Sequence, residues 1–119
     1  MRKAAPTFDE SGLLEIPVGT TPGWHLPLTA SSLFPLKRGE LRRLFQKLAG
    51  KRRPVLLLLH AIDGVDCCRP IIFDYRRSRI GGFAMTAQQK ERRLHRIVEE
   101  FSRQFHIVRA DQYARTKCV

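Results

Sequence analysis

The chain is predicted to be an α/β domain built on a small, mostly parallel sheet. Three observations point there. Residues 54–60 read "PVLLLLH", five branched apolar residues in a row from Val55 to Leu59, closed by His60. Such a run is the composition of a strand covered on both faces, not of one wetted at every second residue. Two stretches with apolar residues at helical spacing flank it, at 39–50 and 86–105. Strands alternating with helices are the pattern of βα units, which pair their strands in parallel.

The first strand is read at 13–18, where Leu13, Leu14, Ile16 and Val18 make a short apolar run. Pro17 places it near a sheet edge or at a strand end, because proline cannot donate to a ladder. "GTTPGW" follows as a turn, and Pro27 and Pro35 interrupt any long helix before residue 39. In helix 39–50, Leu41, Leu44, Phe45, Leu48 and Ala49 form one stripe, with Gly50 expected as the C′ residue. Lys51, Arg52 and Arg53 follow at the negative end of its dipole, and Pro54 opens the central strand 54–60.

Residues 61–85 read as a long loop punctuated by Gly64, Pro70, Gly81 and Gly82, with "YRRSR" exposed within it. Thr86 followed by Gln89 is a capping-box pattern that opens the second helix, 86–105. Leu94, Ile97, Val98, Phe101 and Phe105 supply its apolar face, and His95 falls among polar neighbours, hence outward. "HIVRA" at 106–110 is a short strand candidate. Three strands are few for a sheet of this class, which suggests part of a larger assembly.

At 119 residues the chain suits one domain, 1–119, and its 43% hydrophobic content is enough for a core. The longest apolar stretch is a strand's length, far below the roughly 18–20 residues that span a bilayer, and "MRKAAPTFDE" lacks the apolar region of a signal peptide. A soluble, cytoplasmic protein is expected. Cys67, Cys68 and Cys118 are an odd count without a CxxC spacing, so neither a disulfide framework nor a zinc ribbon is indicated. The adjacent pair Cys67-Cys68 reads as two loop thiols.

Charge is the strongest compositional signal: 22 Lys and Arg against 11 Asp and Glu, a net +11. Such a surplus attracts phosphate-rich polymers and anionic surfaces. A basic module that binds nucleic acid or an anionic surface is therefore one functional reading, using Lys37, Arg38, Arg42, Arg43, Lys51, Arg52, Arg53 and the "YRRSR" loop. Against it, the aromatic residues are mostly phenylalanines at core spacing, which offer no base-stacking platform.

A second reading rests on resemblance. "GLLEIPVGTTPGWHLPL", the basic helix, "PVLLLLHAIDGVD" and "MTAQQKERRLHRIVEEFSRQFHIVRADQYA" together resemble the C-terminal part of a polysaccharide deacetylase domain, over roughly residues 11–114. The branch acting on lipid-linked or cell-envelope sugars is the most similar. The resemblance implies a partial (β/α) barrel-like layer and a hydrolase of amide bonds on N-acylated sugars. It also implies that His60 is the general acid that protonates the leaving amine, at the C-terminal end of a barrel strand. Trp24 and His25, in the loop after the first strand, and Leu57 and Leu59 on the central strand are the implied substrate-binding residues.

The family also implies a divalent metal held by one aspartate and two histidines four residues apart. His25, His60, His95 and His106 include no such pair. "TFDE" at Thr7–Glu10 is similar to the aspartate motif of these enzymes, but "MRKAAP" before it is no apolar strand, so Asp9 is not expected to act. The chain is thus expected to carry no metal of its own and to be inactive alone. A further chain or an upstream segment would supply the rest of the barrel.

Overall fold

The computed structural model describes residues 6–64 and 85–117. Cys67, Cys68, Cys118 and the "YRRSR" segment lie outside the described residues. The elements run in the order β1 (Thr7–Phe8), β2 (Leu14–Glu15), α1 (Ala30–Leu33), α2 (Arg38–Gly50), a 3-10 turn (Ala61–Gly64), α3 (Ala87–Gln104) and α4 (Ala110–Lys117). None of the described helices is long and apolar enough to cross a membrane.

The architecture is mixed α/β, but among the described residues the expected mostly parallel, barrel-like layer does not form. The sheet is a two-stranded antiparallel hairpin, Thr7 opposite Glu15 and Phe8 opposite Leu14. Its turn is closed by Asp9, whose Oδ1 accepts from the Ser11 amide at 2.9 Å, the Ser11 hydroxyl at 2.7 Å and the Leu13 amide at 2.8 Å. These bonds, the Ser11 hydroxyl's first, hold the Asp9 carboxyl below its ordinary value. The "TFDE" motif is therefore the end of β1 and the start of its turn, with the aspartate spent on the turn's own amides and hydroxyl.

The leucine-rich segment is extended, yet it joins its neighbours through few bonds. Thr29 pairs in parallel with Leu58, and Thr20 pairs antiparallel with Pro27. The Leu58 amide donates to the Leu28 carbonyl at 3.0 Å, the Ala30 amide to the Leu58 carbonyl at 3.1 Å, and the Gly19 amide to the Leu56 carbonyl at 3.2 Å. Leu56 and Leu58 thus turn their backbone groups toward 19–30. Val55, Leu57 and Leu59 turn theirs the other way and bond no backbone among the described residues. A ladder stops here because Pro27 lacks an amide hydrogen and α1 begins at Ala30.

At Gly19 these segments approach closely. A Cβ there would stand 2.6 Å from Leu28 Cδ1, 3.1 Å from Val55 Cγ1 and 3.3 Å from the Leu56 carbonyl oxygen.

Both long helices lie where the periodicity puts them. The Thr86–Gln89 capping box is present, with the Gln89 amide 3.2 Å from Thr86 Oγ1 and the Thr86 amide 2.9 Å from Gln89 Oε1. At the start of α2 the Glu40 carboxyl accepts the Lys37 amide at 2.7 Å. The end of α2 differs from expectation: Gly50 remains helical, and the left-handed residue is Arg52, at φ 48°. The chain must leave the helix and straighten before Pro54, and Arg52 absorbs that reversal. Residues 106–110 are not a strand; Phe105 leaves α3 in an extended conformation, and the chain re-enters a helix, α4, at Ala110.

The core lies between α1, α2 and α3. Leu28, Ala30, Leu33, Phe34, Leu41, Phe45, Leu48, Ile97 and Phe101 are buried, and Val55, Leu57 and Leu94 pack against them. Phe45 meets Phe101 edge-on, centroids 5.2 Å apart at 80°, and Phe101 meets Phe105 at 4.6 Å. Val98, expected on the buried face of α3, is exposed.

A buried carboxylate ties the two long helices together. Glu100 is fully buried, and Arg42 reaches it with both Nε and Nη2 at 3.2 Å, while Arg38 and Arg103 approach at 3.4 and 3.7 Å. Neighbouring Glu99 pairs with Arg38 at 3.0 Å and Arg103 at 2.9 Å. The hydrogen bonds from Arg42 and Arg38, respectively, hold the Glu100 and Glu99 carboxyls below the usual glutamate value. Arg93 donates to the Phe34 carbonyl, fastening α3 to the end of α1.

Candidate functional site around His60

The parallel pairing of Thr29 with Leu58 brings the start of α1 alongside the exit of the leucine-rich segment. Three side chains converge there. Asp63, in the 3-10 turn, is only 2% exposed. Its Oδ1 accepts the Ser31 hydroxyl at 2.6 Å, and its Oδ2 accepts the His60 backbone amide at 2.7 Å. The Asp63 amide returns the link by donating to the His60 carbonyl at 2.9 Å. A carboxyl taken out of water needs such partners, and here every oxygen has one.

The His60 imidazole stands over this buried group. Its Nδ1 lies 3.8 Å from Asp63 Oδ2, too long for a hydrogen bond and within ion-pair range, while the side chain is 56% exposed. The Nδ1 edge of the ring therefore faces a fixed carboxyl, while more than half of the side chain is open to solvent. A histidine held by its backbone and backed by an acid is suited to hand a proton to a leaving group.

The other residues expected at a site with His60 are not gathered there. The register that sets Thr29 against Leu58 runs the chain backwards through Pro27 toward Val55. The turn from Thr21 to Leu26, closed by the Thr21 amide on the Leu26 carbonyl at 2.8 Å, thus lies at the opposite end of the segment from His60. Trp24 and His25 sit on that turn, both exposed, with His25 left-handed at φ 53°. Leu57 packs against the core. Leu59 is exposed and directly precedes His60, so it alone of the four is available next to the imidazole.

Asp63 and Ser31 were missed from the sequence. The "HAID" spacing is a usable signal, since an acid three residues after the histidine returns to it in one 3-10 turn. Ser31, 32 residues before Asp63, left no local sign. His95 is exposed on α3, where it shares a shallow concavity of about 370 Å³ with Gln88, Glu91 and Arg92.

The resemblance implies a divalent metal, and the donor set does not fit one. Among the described residues no three of His, Cys, Asp and Glu come together as ligands. Asp63, the acid that faces His60, already has both oxygens engaged. Compared with known proteins, the chain matches no family model, no curated protein and no solved structure.

Proposed function

We propose that this chain is a C-terminal segment of a sugar N-deacetylase-type hydrolase, with His60 as its general acid. The observation that supports the reading is the His60–Asp63–Ser31 arrangement: an exposed imidazole at the end of an apolar extended segment, backed by a buried, fully bonded carboxyl. In amide hydrolysis water adds to the acyl carbon, the C–N bond breaks, and the departing nitrogen takes a proton. Protonated His60 gives that proton from Nε2, and solvent restores it. Asp63 holds the backbone and faces Nδ1, so the proton-bearing nitrogen is turned outward.

The chain supplies the acid and not the water-activating half. A second chain or segment carrying that half completes the site, and an N-acylated sugar is its substrate. The test is an NMR titration of the whole protein with an N-acetylated chito-oligosaccharide. His60 and Leu59 resonances are expected to move, and Asp63→Asn is expected to weaken the response while the fold persists. No acetate release is expected from the chain alone. Shifts confined to Arg43–Arg53, with His60 silent, would overturn the reading; chelator-sensitive turnover by the isolated chain would overturn the assignment of a missing half.

A further inference from the structure

The end of the molecule opposite His60 combines two features that the deacetylase reading leaves unused. The first is the turn from Thr21 to Leu26, whose tip presents Trp24, 85% exposed, and Leu26, 50% exposed. A large indole in solvent loses the burial that usually holds such a side chain, and among the described residues Trp24 is left almost wholly open. The second is a set of exposed cations. Arg43, Lys47 and Lys51 recur every four residues along one side of α2, and Arg52 and Arg53 continue beyond it.

These five cations differ from their neighbours. Arg38 and Arg42, one turn earlier, are engaged by Glu99 and Glu100. None of the five pairs with a carboxylate among the described residues. A helix dipole acts within about one turn, which accounts for Lys51 and not for Arg43, nor for Arg53 beyond the left-handed Arg52. The backbone register unites the two features. The Gly19 amide donates to the Leu56 carbonyl at 3.2 Å, and the hairpin from Thr20 to Pro27 leaves Gly19 in the direction in which the leucine-rich segment runs back to Arg53.

We infer that this end of the molecule docks on an anionic lipid surface, with Trp24 and Leu26 entering the headgroup region and Arg43, Lys47 and Lys51–Arg53 meeting the lipid phosphates. An aromatic, apolar tip beside a cationic stripe is the combination that binds a membrane interface without spanning it. Nucleic acid is the poorer occupant. It would use the cations, but a lone indole beside a leucine gives one stacking surface where single-strand binders use several. The inference rests on the fold and not on the role of His60.

Trp24 is the only tryptophan, so its fluorescence reports the contact directly. The intact protein is titrated with vesicles of phosphatidylcholine alone, with an equimolar mixture of phosphatidylcholine and phosphatidylserine, and with a single-stranded oligonucleotide. Trp24 emission is expected to move to shorter wavelength with the mixed vesicles only, and added salt is expected to reverse the shift. In vesicle sedimentation, the Lys51→Ala, Arg52→Ala, Arg53→Ala triple variant should partition on the order of a hundredfold less, about fivefold for each cation removed. Trp24→Ser should also weaken partition while the salt dependence persists. An unchanged emission with mixed vesicles, an equal shift with neutral vesicles, or a stronger response to the oligonucleotide would each overturn the inference.

Discussion

Phe45 tests how α2 is seated on α3. The side chain is fully buried and, among the described residues, meets one other ring, Phe101, edge-on at 5.2 Å and 80°. Truncation to alanine is expected to cost about 3–5 kcal/mol, the range for emptying a buried aromatic site. Domains of this kind hold roughly 5–15 kcal/mol in total, so that variant could leave little folded protein to measure. Phe45→Leu keeps most of the apolar volume and should cost about 1–1.5 kcal/mol.

An edge-to-face pair contributes about 0.5–1.5 kcal/mol beyond its buried area. A double-mutant cycle of Phe45→Leu with Phe101→Leu should return a coupling in that range, because each change removes the same ring contact. Phe101 also meets Phe105 at 4.6 Å, so Phe101→Leu should cost more than Phe45→Leu. The assay is urea denaturation followed by far-UV circular dichroism. A coupling below about 0.3 kcal/mol, the level at which independent sites add, would refute the packing of the two helices described above.

Acid should loosen the same interface. The Glu100 and Glu99 carboxyls lie below their ordinary value in the folded chain, so their stabilisation is complete above about pH 4.3 and is lost as pH falls toward the depressed values. Urea midpoints should therefore fall through that window, and Glu100→Gln should flatten the fall; a wild-type profile no steeper than the variant's would contradict it. Gly19→Ala should destabilise by about 1–3 kcal/mol through overpacking against Leu28 and the Leu56 carbonyl, seen as a lower urea midpoint; an unchanged midpoint would refute the close approach. Asp63→Asn should leave the global midpoint nearly in place and speed hydrogen exchange at the His60 amide, whose acceptor is weakened; unchanged exchange would show that Asp63 does not hold that amide.

What the sequence disclosed follows the range over which its signals act. Helices 39–50 and 86–105 were legible because their evidence is local: a stripe at helical spacing, a threonine and glutamine three apart, a proline soon after the end. The sheet was not legible. Apolar composition said that 54–60 is extended, but its partners depend on the Thr20–Pro27 hairpin and the early start of α1, which no periodicity in "VLLLL" encodes. "HIVRA" misled for a related reason. Ile107 and Val108 favour extended backbone, but they have no ladder partner among the described residues, and α4 begins at Ala110. His60 was found because a titratable residue closes an apolar run. Its support from Ser31 and Asp63 arises only when distant segments meet.

The half-used backbone of the leucine-rich segment bears on how the protein behaves in a tube. Among the described residues, Val55, Leu57 and Leu59 present a row of amide and carbonyl groups with no backbone partner, a template on which an extended chain can pair. What holds copies apart is their shared charge of +11. Salt shortens the reach of that repulsion to about 8 Å at physiological ionic strength and leaves backbone pairing untouched. Concentrated stocks should thus stay clear at low ionic strength and turn turbid as salt is added. Most basic proteins need salt to release their polyanions, so the purification step that cleans such a protein is the one that puts this fold at risk.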